Sequence, residues 1–224
     1  MLNSYRGVLF DLDGTLVDHS NAARAGVIAW SQELGIPPDP ARWQALEQQW
    51  FLAYEHGKLT HSGQRAARVR EYLHEPKLSE TAALQLFDGF LHQYIASMQP
   101  FSGAAEVLEQ CFDCGQLVGI ATNGAASLQT TKLRTTGLWD DRLIMLAAVE
   151  MEAAKPNPEF YTRALDIVGT APADTIMVGD TLPNDVLAPI AAGIAAIHVD
   201  HAGTGTTDPR YPTIRDLSEL LNAP

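Results

Sequence analysis

Val8-Leu9-Phe10-Asp11-Leu12-Asp13-Gly14-Thr15 is the stretch on which the fold turns. Three apolar residues stop at two carboxylates one residue apart, and a glycine that can reverse the chain follows them. Working outward, four more short apolar runs occur at residues 117–121, 143–148, 176–178 and 195–199. They lack polar alternation, as strands buried on both faces do. Helical patterns at 104–114, 128–136, 158–168 and 185–192 alternate with these strands. Such alternation predicts an open, doubly wound parallel α/β sheet of Rossmann-like type.

About a hundred residues separate the first strand from the second, far more than a crossover connection needs. Helical patterns at 21–34, 41–56, 62–74 and 80–98, punctuated by Gly35, Pro37, Pro38, Gly57 and Pro76, fill that interval. The expected organisation is an α/β core from residues 1–17 and 100–224, interrupted by a four-helix domain at 18–99. Residues 203–212 read as a loop and 214–221 as a short closing helix.

The composition is that of an ordinary globular protein, with 46% hydrophobic and 19% charged residues in 224. Fifteen basic against 27 acidic residues give a net charge of −12, a surface that repels nucleic acid polymers and anionic membranes. No apolar run reaches the roughly 18 residues of a membrane helix. The first one is stopped at Asp11 before a secretory signal could form, so the expected location is cytoplasmic. Cys111 and Cys114 have the C-x-x-C spacing of redox and zinc sites. They close a helix rather than open one, with Gly115 as its C-terminal cap, where the dipole disfavours thiolates, and no second ligand pair is present.

In parallel α/β sheets, ligands bind beyond the carboxyl ends of the strands. Those ends carry Asp11, Asp13 and Thr15 after the first strand, and Thr122, Asn123 and Gly124 after the second. Lys155 follows the third, and Asp180 and Asp185 follow the fourth. Carboxylates about 4 Å apart repel by roughly 4 kcal/mol per pair at an effective dielectric of 20, so a cation belongs among them. Mg²⁺, held by a few carboxylates and a substrate phosphate, fits oxygen ligands of this kind and points to phosphoryl chemistry. An aspartate facing a phosphate can act as nucleophile, and a carboxylate two residues on can protonate the leaving oxygen and later activate water. The Thr122 hydroxyl, the Asn123 backbone and the Lys155 ammonium suit the phosphoryl oxygens.

These four clusters, in this order, resemble the motifs of the haloacid dehalogenase superfamily of aspartate-nucleophile phosphatases: Asp11-Leu-Asp13-Gly-Thr, Thr122-Asn-Gly, Lys155, and Gly179-Asp180 with Asp185. The helical insert is similar to that superfamily's small α-helical cap. The resemblance implies Asp11 as nucleophile, Asp13 as general acid/base, Thr122 and Lys155 as phosphate ligands and Asp180 as metal ligand. It also implies that Asp11 and the Asp13 backbone carbonyl bind the metal and that Asp185 is a further ligand or a residue that orients Lys155 and metal-bound water. Two departures are Thr181, where serine is commoner, and Pro189, which interrupts the helix after the fourth motif.

Residues 122–138, with Gln129, Lys132 and Leu133, and the segment 54–60, with Gly57 and Thr60, resemble the branch of bacterial pyrimidine 5′-nucleotidases. The expected function is a Mg²⁺-dependent phosphomonoesterase acting on a small phosphorylated metabolite, first a nucleoside 5′-monophosphate, as a monomer or homodimer. A sugar-phosphate or phosphoglycolate-type phosphatase, a 2-haloacid dehalogenase, a phosphomutase and a non-catalytic metabolite-binding protein are the alternatives. Specificity is expected in the cap, with His19, Asn21, Arg24, Trp50, Tyr54 and Lys58 as candidates. Trp30, Trp43, Trp50 and Tyr54 each also suit a helical core. His198 and His201 are expected beside a loop, not on a metal.

Overall fold

The computed structural model describes residues 1–203, 205 and 208–221. Six parallel strands make one sheet: β1 (Gly7–Phe10), β2 (Leu117–Thr122), β3 (Ile144–Ala147), β4 (Thr175–Gly179), β5 (Ala195–Val199) and β6 (Thr213–Ile214), in the order β3-β2-β1-β4-β5-β6. Val8 pairs with Val118 on one side and Ile176 on the other, so β1 lies in the middle. The chain builds outward from β1 to β3 and then crosses to β4. That reversal opens a crevice beyond β1 and β4, the place where such sheets bind ligands.

Burial explains the absence of alternation along the strands. Every residue of β1 and of β4 is buried. On one face Leu9, Ala121, Leu146 and Met177 pack with Phe160, Tyr161 and Ala164 of α8 (Pro158–Val168).

The sequence pattern anticipated five strands, and the sheet has a sixth. β6 has only two residues, and its bonds go to neighbouring backbone, with His198 and Asp200 N–H donating to the Pro212 and Ile214 carbonyls. A segment so short carries no periodicity to read. The expected closing helix therefore starts as strand at Ile214, and only Leu217–Leu220 turns, as a 3₁₀ helix behind a capping box from Asp216 and Glu219. Residues 222–224 lie outside the described residues.

The third strand ends at Ala147, and Ala148–Met151 is a short helix, α7. After β4, Leu182–Leu187 form a π-helical turn that continues into α9 (Ala188–Ala191); Pro189 offers no N–H to it, and the Asn184 carbonyl five residues back accepts from the Tyr161 hydroxyl. Helices α5 (Ala104–Asp113) and α6 (Ala126–Thr135) follow the expected pattern, α6 starting two residues early. Cys111 is buried at the end of α5, and burial, with Cys114 adding, pushes its thiol up to about 12, far from a reactive thiolate.

The chain divides into two compact units, Met1–Asp18 with Gln99–Pro224, and His19–Met98. The second unit comprises α1 (His19–Glu33), α2 (Pro40–Glu55), α3 (His61–Tyr72) and α4 (Glu80–Ala96). Asp39, Thr60 and Ser79 cap the last three by accepting from the backbone N–H of Arg42, Gly63 and Ala82. Its centre is aromatic: Trp43 lies 4.5 Å from Phe90 and 5.4 Å from Trp30, centroid to centroid, and Tyr72 stacks on Trp30. Trp50 and Tyr54 fall outside this core and are half-buried, Trp50 donating to the Glu71 carboxylate instead.

Candidate active site

Asp11 is the first residue past β1, and its N–H still donates to the Val178 carbonyl at 2.9 Å, which extends the pairing with β4 by one step. The residues after β4 accordingly lie alongside it. Oxygens of Asp11, Asp180 and Asp185 all come within 4.8 Å of one another. Glycines permit this approach. Gly14 has φ +93°, and a Cβ there would sit 2.5 Å from Asp180 Oδ2. The π-helical turn contributes as well: the Asp185 N–H donates to the Thr181 carbonyl at 2.7 Å, and Asp185 Oδ2 accepts from the Thr181 N–H at 3.0 Å.

Lys155 enters this carboxylate group from the loop after α7. Its Nζ donates to Asp11 Oδ1 at 2.8 Å and Asp185 Oδ1 at 2.6 Å, and the side chain is 2% exposed. Asn123 sets its backbone: Oδ1 accepts the Lys155 N–H at 2.7 Å and Nδ2 donates to the Lys155 carbonyl at 2.8 Å. The Asn123 side chain thus joins the loop after β2 to the loop after β3, a role its sequence position did not suggest. Thr15 donates to Asp180 Oδ1 at 3.3 Å.

One ammonium among three carboxylates leaves an excess of buried negative charge. Burial lifts the Asp11 carboxyl well above the usual range; Lys155 opposes that shift, and Asp185 and Asp180 add to it. Asp180 is raised to about 6, by burial and then by Asp185. Burial pulls the Lys155 ammonium down, yet Asp11 and Asp185 outweigh it and hold the pKa above the ordinary lysine value. An arrangement that raises its own acids in this way is suited to receiving a cation. Its donors are hard oxygens, which fits Mg²⁺.

Asp13 has a different setting. Both its oxygens accept from Lys132 Nζ at 2.6 Å, and Oδ2 also accepts from Gln129 Nε2 at 2.9 Å. The same Gln129 nitrogen donates to Thr122 Oγ1 at 2.5 Å, and the Gly124 N–H donates to that hydroxyl at 3.1 Å. Sequence reasoning placed Gln129 and Lys132 only in a stretch resembling one phosphatase branch. The available signal was a polar pair three residues apart beside Leu133, on the face of α6 that had to be buried.

The remaining candidates have local partners. His198 Nε2 lies 3.0 Å from the Asp180 carbonyl, and His201 lies between the Thr15 and Arg215 carbonyls, stacked on Phe101. His19 bonds Tyr94 at 2.7 Å and Glu47 at 3.1 Å inside the helical unit, and Asn21, Arg24 and Lys58 are exposed there. Gly57 and Thr60 turn the chain and cap α3.

Among curated proteins, the chain is 28% identical over 204 residues to a ribulose-1,5-bisphosphate 5-phosphatase of Halopiger xanaduensis, covering 86% of this chain and 84% of that one. It is also 28% identical over 154 residues to the pyrimidine 5′-nucleotidase YjjG of Escherichia coli, covering 68% and 67%. The crystal structure of the hydrolase YfnB of Bacillus subtilis, bound to magnesium, shares the fold at a TM-score of 0.84 and 23% identity, covering 96% of each chain. The family model of haloacid dehalogenase-like hydrolases matches residues 5–193, a span that holds all four strand ends and every carboxylate gathered there, and the chain belongs to that family.

Proposed function

We infer that the protein is a Mg²⁺-dependent phosphomonoester hydrolase that works through an aspartyl-phosphate. The observation that carries this reading is the convergence of Asp11, Asp180 and Asp185 around the Lys155 ammonium at the crevice between β1 and β4. Asp11, Asp180 and the Asp13 backbone carbonyl would hold the ion, which supplies positive charge to the phosphoryl oxygens and the buried acids. Asp11 attacks phosphorus, an Asp11–phosphorus bond forms, and the bond to the leaving alcohol breaks as Asp13 gives that oxygen a proton. Water then attacks phosphorus and passes a proton to Asp13. The aspartyl bond breaks, and inorganic phosphate leaves. Lys155 and the Thr122 hydroxyl bind the phosphoryl oxygens, and Asp185 keeps Lys155 in line.

A nucleoside 5′-monophosphate is the first substrate class, supported by the resemblance of residues 122–138 to the pyrimidine 5′-nucleotidase branch and by the 28% identity to the nucleotidase YjjG. A sugar phosphate is the second, supported by the likeness to the ribulose-bisphosphate phosphatase. Phosphate release from a panel of nucleotides, sugar phosphates and phosphoglycolate, measured with Mg²⁺ and with chelator, tests the reading. Full activity in chelator, or halide release from a 2-haloacid, would overturn it.

A further inference from the structure

We propose that Gln129 and Lys132 are positioning residues, which aim the Asp13 carboxyl and the Thr122 hydroxyl as one unit from a single face of α6; the proposal rests on the phosphatase reading above. Buried lysines are rare because the interior charges heavily for an ammonium, and an apolar side chain of similar size is often as stable or more so. Even so, the inward face of α6 presents Gln129 at 0% exposure and Lys132 at 3%, with Leu133 beside them. The Lys132 ammonium reaches both oxygens of Asp13. An ammonium equidistant from both oxygens sets the direction of the carboxyl, and the Gln129 bond to Oδ2 alone stops it rotating about that direction.

Gln129 connects this pair to the phosphate side. The Gln129 amide turns Nε2 toward Asp13 Oδ2, and the same nitrogen reaches Thr122 Oγ1. The Thr122 hydroxyl then accepts twice, from Gln129 and from the Gly124 N–H. Its own hydrogen is left to donate in a third direction, as a ligand of a phosphoryl oxygen must. Spacing decides the rest. Residues i and i+3 share a helix face, so one helix controls both the group that moves the proton and a group that holds the phosphate.

Lys132→Met and Lys132→Arg should be compared on an alkyl phosphate and an aryl phosphate, with thermal melting as the check on folding. An alkoxide needs its proton and a nitrophenolate does not, so misplacing Asp13 should cost Lys132→Met about 100-fold in kcat on the alkyl substrate and under about 10-fold on the aryl one. KM should change less than about 3-fold, and Lys132→Arg should recover most of the alkyl activity. If Lys132 acts through Asp13, adding Lys132→Met to Asp13→Asn should slow the enzyme no further. Gln129→Leu, which keeps the ion pair, should lower kcat about 10-fold and serves if Lys132→Met does not fold.

Equal losses on both substrates, multiplicative losses in the double variant, or an unaffected Gln129→Leu would each overturn the proposal. The underlying reading fails separately: if the unaltered protein releases no phosphate from any substrate, phosphatase chemistry falls and the positioning role falls with it.

Discussion

In the helical unit Glu47 is half-buried against Arg68 and His19, whereas in the α/β unit Asp11 and Asp185 are buried and Asp180 half-buried around Lys155. All of these acids have lost some of their water, and burial is the largest influence on Glu47, Asp11 and Asp180. Yet Glu47 is held below the usual carboxylate range, because Arg68 and then His19 overcome the cost of burial, while Asp11 and Asp180 are held above it. The helical group is internally neutralised and belongs to the packing, with Arg68 lying over the rings of Trp43 and Phe87. The α/β group is left short of positive charge by its own fold. Imbalance of this kind costs stability and is retained where a cationic ligand supplies what is missing.

Asp11→Asn should separate function from stability most sharply. Turnover should fall by about 10⁴-fold or more, since an amide is a poor nucleophile toward phosphorus. The metal-free melting temperature should hold or rise, because one of the crowded carboxylates is gone. A melting temperature that falls together with activity would mean that the acids support the fold.

Breaking the balanced group should have the opposite character. Arg68→Met leaves the half-buried Glu47 with His19 but without its main partner and should cost about 2–3 kcal/mol, read by urea or thermal unfolding. Glu47→Gln together with Arg68→Met should recover part of that loss. If Arg68→Met is as stable as the parent, the network is not a structural ion pair.

The smallest effect concerns pH. Asp180 has a folded pKa of about 6, raised above the ordinary 3.8, so its contribution to stability is complete below the unfolded pKa and is lost as pH rises through the folded one. Metal-free protein should lose about 1–2 kcal/mol between pH 4 and pH 6.5, after allowance for the residue's partial exposure. Mg²⁺ should restore more at pH 7 than at pH 5. Glu47 gives no loss over that window, because its depressed pKa moves its own loss to more acidic solution. Differential scanning calorimetry with and without Mg²⁺ checks both signs.

Much of this was legible in the residues themselves. Strand-length apolar runs that end in Asp, Thr and Asp announced a parallel sheet and its ligand edge, because burial on both faces and chemistry at the carboxyl ends follow from local composition. The four helices of residues 19–98 were legible through their punctuation, and Asp39, Thr60 and Ser79 proved to be their caps. Two-residue β6 was not legible, since a segment so short has no periodicity to read. The fate of the polar side chains also escaped. Asn123 was read for its backbone and its side chain fixes Lys155; Trp50, read as a specificity candidate that also suits a core, bonds Glu71 at the surface.

By itself, the sequence determined the α/β class, the order of the strand-end carboxylates and the hard-oxygen character of the donors they offer, since each depends on residue type and on spacing along the chain. Only the tertiary structure decided which acids share one cluster, that Asp13 is gripped apart by Lys132 and Gln129, and that Glu47 is neutralised where Asp11 is not. Those outcomes depend on which side chains meet across stretches of chain that separate Glu47 from Arg68 by 21 residues and Asp11 from Lys155 by 144. Charge energies vary with a few ångströms of distance and with burial, and neither quantity is written in the order of the residues.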